Sequence, residues 1–74
     1  MTKLFLKFFE SVVENYPLHM EIYYSKTMDW CIDIWKVMDE KVQVVYVSGN
    51  DMELVFAKAH VGLKEWLLEN EGGY

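Results

Sequence analysis

An α+β fold in the order α-β-β-β-α, a three-stranded antiparallel meander with two helices packed on one face, is the architecture this chain predicts. Three observations carry it. Near the start of the chain, apolar residues recur at a helical period and stop at Pro17. Between residues 18 and 48, successive runs show the period of two of half-buried strands. A second helical stripe follows Gly49-Asn50-Asp51.

The first helix is expected over residues 3–15, with Thr2 as its N-cap. At about 100° per residue, Leu4, Phe5, Phe8, Phe9, Val12 and Tyr16 share one face, and Lys3, Lys7, Glu10 and Glu14 gather on the other. Lys7 and Glu10, three apart, attract each other. Pro17 disfavours helix at Tyr16 and ends the element. The aromatic richness of Leu4 to Phe9 would also suit a strand, but its charge spacing does not favour one.

Residues 18–24 form the first expected strand, with Leu18, Met20, Ile22 and Tyr24 on one side and His19, Glu21 and Tyr23 on the other. Ser25-Lys26-Thr27 is the expected loop. Residues 28–38 alternate again, with Trp30, Ile32, Ile34 and Met38 facing one way and Cys31, Asp33, Trp35 and Val37 the other. Asp39-Glu40-Lys41 reads as a polar turn, and Val42 to Ser48 as a β-branched third strand. With three residues in each loop, Ile22 faces Trp30, Met20 faces Ile32, and Ile34 faces Tyr46. A two-residue turn at Asp39-Glu40 would flip the third strand, which is apolar on both faces. No Asn-Gly or Asp-Gly signal favours that tighter turn, so the three-residue version is preferred.

The last helix is expected to run from an Asn50 N-cap, with Glu53 completing a capping box, to about Glu69. Its core stripe is Met52, Val55, Phe56, Ala59, Leu63, Trp66 and Leu67. Gly72-Gly73 ends it, and residues 71–74 read as a flexible tail.

All 74 residues fit one domain, since two cores would not. At 53% apolar and 16% aromatic, the chain is too apolar for disorder. Seven lysines, no arginine and twelve acids leave a net charge of −5. That balance weighs against direct nucleic-acid binding, because acid repels phosphate and arginine is the best bidentate phosphate ligand. It would suit docking on a basic partner or imitation of nucleic acid; it also simply keeps a small apolar domain soluble. A single cysteine, Cys31, can form no internal disulfide. No signal peptide and no run of about 20 apolar residues is seen, so a cytoplasmic protein without membrane contact is expected.

No catalytic, cofactor-binding or metal-binding constellation is expected. Cys31, His19 and Asp33 lie on strands, with no helix N-terminus or basic neighbour to activate the thiol. His60 reads as a boundary residue of the second core stripe. Asp29 and Asp33 lie about 13 Å apart along a strand, too far for an acid–base pair.

Two surfaces stand out instead. On the last helix, Leu54, Ala57, Val61 and Leu68 form a second apolar line nearly opposite the core stripe. Either the first helix covers this line, or it is a contact surface for a protein partner or a second copy. The outer sheet face is expected to show His19, Glu21, Tyr23, Cys31, Asp33, Trp35 and Val45. Tyr23 and Trp35 are of the type enriched at binding hot spots, or else serve cross-strand packing. The candidate interaction residues are therefore Tyr23, Trp35, Leu54, Val61 and Leu68.

The segment Tyr24-Ser25-Lys26-Thr27-Met28-Asp29-Trp30-Cys31-Ile32, together with the closing stretch from Asp51 to Tyr74, resembles small uncharacterised reading frames of phages and prophages of low-GC Gram-positive bacteria. The resemblance covers about two-thirds of the chain and carries no functional motif. It implies a host-takeover, regulatory or accessory role in the host cytoplasm. The leading expectation is a non-enzymatic protein-interaction module that self-associates. The alternative is an acidic inhibitor that imitates nucleic acid toward a host protein. A third reading, a small-molecule site around Trp35, would require a pocket in the sheet.

Overall fold

The computed structural model describes residues 2–37 and 40–73. Helix α1 (Thr2–Val13) leads into strands β1 (Leu18–Ser25), β2 (Asp29–Val37) and β3 (Lys41–Gly49), and helix α2 (Met52–Asn70) follows. The strands form an antiparallel meander in the order β1-β2-β3. The fold is α+β in the expected order.

α1 takes in Thr2 and ends two residues earlier than its periodicity suggests. The N–H groups of Asn15 and Tyr16 both donate to the Val12 carbonyl, at 3.0 and 3.1 Å, closing a turn ahead of Pro17. The Pro17 carbonyl then accepts from the Val37 N–H at 2.7 Å, beside the first rung of the β1–β2 ladder.

The first hairpin loop is residues 26–28, one residue later than expected, with Ser25 opposite Asp29. Ser25 Oγ accepts from the Met28 N–H at 2.9 Å, and Asp29 closes the loop at a φ of 56°. A left-handed residue after a short turn is a common three-residue hairpin solution. Ile22 therefore faces Ile32 rather than Trp30, and Met20 faces Ile34 rather than Ile32. The displacement is an even number of residues, so each side chain keeps its expected face.

The second hairpin differs in a way that changes faces. Near its turn, Val37 faces Lys41 and Trp35 faces Gln43. The register then shifts between Ile34 and Trp35, and Ile34 faces Val45, not Tyr46 as expected. Val44 is the extra residue of this β-bulge. Val45 and Val47 turn inward, and Tyr46 turns outward and is exposed. The expectation that Val45 lies on the outer face is thus corrected. The bulge buries two apolar side chains and leaves the Tyr46 hydroxyl near water; an unpaired buried hydroxyl costs roughly 1–3 kcal/mol. The expected inward position of Met38 and the turn position of Asp39 lie outside the described residues.

α2 lies across the inner sheet face, closest to β3. Val55, Phe56, Ala59, Leu63 and Leu67 are buried against Ile32, Ile34 and Val45. Full burial of one such large side chain is worth roughly 1.5–3 kcal/mol. Gly62 faces β3, where an added Cβ would stand 3.4 Å from Val45 Cγ2, an ordinary contact. Phe5 and Val12 bring α1 into the same core, and the Phe5 ring meets Phe56 edge-on at 5.8 Å. α1 leans mainly on α2. One neighbouring helix covers only a narrow stripe, so Leu4, expected on the core face, is 66% exposed. Met52, expected in the α2 stripe, opens the helix and is also exposed.

The N-cap of α2 is Asp51, not Asn50. Its carboxylate accepts from the N–H groups of Glu53 and Leu54, at 3.1 and 3.3 Å. A carboxylate at this place also meets the positive end of the helix dipole, an advantage Asn50 lacks. At the other end, Gly72 takes a φ of +77°, and the Gly73 N–H donates to the Leu67 carbonyl at 3.1 Å. The Glu71 carboxylate accepts from Lys36 Nζ at 2.6 Å, which ties the end of α2 to β2. Among the described residues no helix is long and apolar enough to cross a membrane.

Candidate functional site

The second apolar line of α2 is uncovered. Leu54, Val61 and Leu68 are 51%, 56% and 58% exposed, and Ala57 is half-buried. α1 does not reach them, because it packs on the flank formed by Phe56, His60 and Lys64. There Phe5 and Phe8 lie 5.8 and 5.0 Å from the His60 ring, and Lys64 Nζ stands 5.2 Å over Phe8. On the other flank of the line, a shallow depression of about 340 Å³ is lined by Ala57, Lys58, Val61, Gly62 and Glu65. A groove of about 350 Å³ continues it toward β3 and the Trp66 ring.

His60 is more than a boundary residue. Its ring belongs to the aromatic contact between the helices, and Nε2 is withdrawn from solvent without a hydrogen-bond partner. Desolvation, then the nearby Lys64 charge, push its pKa below the ordinary histidine value.

The sheet's outer face holds the other candidates. Trp35 is half-buried rather than open. The His19 ring lies 4.4 Å from it, and Lys41 Nζ stands 4.1 Å from its centroid. His19 pairs with Trp35, where the expected register placed it opposite Asp33. Asp33 instead accepts from Gln43 Nε2 at 2.8 Å. Tyr23 faces Cys31 and is exposed. The neighbouring Tyr46, then Cys31, with some desolvation, push its pKa above the ordinary tyrosine range. Tyr46, expected inside, is therefore a missed member of this face.

Cys31, expected to be presented on this face, is fully buried. Its Sγ donates to the Met28 carbonyl at 3.6 Å. A thiol so placed has neither the access nor the cationic neighbour that reactivity requires. Among the described residues, no three His, Cys, Asp or Glu side chains come together as metal ligands do.

The candidates thus form two groups on opposite sides of the molecule. Tyr23 and Trp35 share the outer sheet face, while Leu54, Val61 and Leu68 point away from the sheet. In the first group, Trp35 is held by His19 and Lys41, and Tyr23 lies beside Tyr46 and Cys31. The second is apolar surface left in water. No protein-family model, no curated protein and no solved structure matches the chain.

Proposed function

We propose that this protein is a non-enzymatic protein-contact module whose working surface is the outer face of α2. One observation carries the reading: Leu54, Val61 and Leu68 remain more than half exposed after both helices have packed. A continuous apolar line left in water commonly marks a contact. Cys31 is enclosed, which takes the one thiol away as an exposed nucleophile. The phage or prophage accessory role rests on the resemblance of the sequence alone. Imitation of nucleic acid gains no support from the acids, which are spread over both helices, two strands and the joints. Two of them, Glu10 and Glu71, are paired with lysines.

The test is light scattering behind size exclusion, over a range of concentration and salt. The wild type is expected to exceed the 8.8 kDa of one chain as concentration rises. A triple variant, Leu54→Gln with Val61→Gln and Leu68→Gln, should stay monomeric with an unchanged circular dichroism spectrum. Equal association of variant and wild type would reject the α2 face as the working surface.

A further inference from the structure

We infer that the occupant of this face is the same face of a second copy, with the two α2 helices antiparallel about a two-fold axis at Val61. The inference rests on the contact-module reading and adds the partner and its orientation.

The argument is self-complementarity. Leu54 and Leu68 stand seven residues on either side of Val61, each roughly 20° off its direction and about 10 Å along the axis. A two-fold axis through Val61 therefore sets Val61 on its own copy and each Leu54 on a Leu68 of the other chain. The flanks agree. Lys58 and Glu65 lie on one side of the line, roughly 60° and 40° from Val61, and both are exposed. Their heights are about 4.5 Å before and 6 Å after Val61, so the two-fold brings each Lys58 within about 1.5 Å in height of the other chain's Glu65.

A parallel pair would lose these advantages. It would oppose Leu54 to Leu54, align the helix dipoles, and call on Lys64, which already lies over Phe8. Interfaces that satisfy their own surface under a two-fold axis are the usual basis of homodimers. A contact of one helix on one helix is small, so the dimer should be concentration dependent.

Disulfide trapping on the full chain tests the arrangement. Cys31 is buried, so the wild type serves as a non-linking background. Under mild oxidation, Val61→Cys should link to itself. Leu54→Cys should link to Leu68→Cys in a mixture of a tagged and an untagged chain. Leu54→Cys alone should not link, because its two copies would lie roughly 20 Å apart and a disulfide needs Cα atoms within about 7 Å. Lys58→Glu and Glu65→Lys should each weaken the dimer by up to roughly tenfold, and the double exchange should restore it. Self-linking of Leu54→Cys, or failure of Val61→Cys to link in a protein that dimerises, would overturn the antiparallel pair. If the glutamine triple variant is still monomeric in that case, the α2 face stands as the contact surface. A triple variant that dimerises like the wild type sinks both ideas, whereas a wild type that is monomeric at every concentration overturns the self-pairing alone.

Discussion

Asp29 is where one residue carries a hairpin. Its φ of 56° is a conformation that costs an ordinary side chain roughly 1–2 kcal/mol, and glycine almost nothing. Asp29→Gly is therefore expected to hold or raise stability by up to about 1 kcal/mol, and Asp29→Val to lower it by about 1–2 kcal/mol. Urea unfolding monitored by tryptophan fluorescence measures both. His60 acts through its proton. Its folded pKa lies below the unfolded value of about 6.5, so the unfolded chain binds more protons as pH falls. Above that pH both states are neutral there and the group contributes no pH dependence. Below it, stability is lost until pH reaches the folded pKa. His60→Phe should lose less stability than the wild type between pH 7.5 and 5.5, the window spanning the histidine range. Parallel curves for the two proteins would reject the assignment.

At the scale of elements, the stability of α2 is set at its start and can be raised at one glycine. Asp51 satisfies two N–H groups of the first turn, and Asp51→Ala should cost about 1 kcal/mol. Asn50→Ala should cost little, which separates the observed cap from its neighbour. Gly62 sits in mid-helix, where glycine is unfavourable by about 1 kcal/mol relative to alanine. An added Cβ would reach Val45 at 3.4 Å, an ordinary contact, so Gly62→Ala should raise stability by about 0.5–1 kcal/mol. Thermal melts by circular dichroism would show each shift. A destabilised Gly62→Ala would mean that α2 and β3 cannot yield even a few tenths of an ångström. The bulge at Val44 has a different role. It switches β3 from the register of its turn to one that buries Val45 and Val47, and it sets Tyr46 beside Tyr23.

The whole molecule is an asymmetric stack. An aromatic sheet face closes one side, and an apolar helix line stays open on the other. The Lys36–Glu71 pair and the shared core hold α2 at a fixed angle over β2 and β3. α1 comes to rest on one flank of α2, held by Phe5, Phe8 and His60, and this choice of flank leaves Leu54, Val61 and Leu68 exposed. The exposure of this line therefore belongs to the tertiary arrangement, and light scattering and disulfide trapping on the intact protein test whether it is a contact.

The sequence by itself determined the element order, the core stripe of α2 from Val55 to Leu67, and the faces of β1 and β2. Each of those rests on a local period, such as the alternation of Leu18, Met20 and Ile22. The apolar line Leu54–Val61–Leu68 was also legible, because seven-residue spacing keeps one direction on a helix. The tertiary structure decided the rest. β3 is apolar on both faces, so its pattern reads equally well in either register, and the bulge chose. Asn50 and Asp51 are both good caps in adjacent places, and the path from Gly49 into α2 selected the second. Whether α1 covers the outer line of α2 depends on the rotation of one helix about another. Local periodicity holds no information on that angle; the packing of Phe5 and Phe8 against Phe56 and His60 sets it.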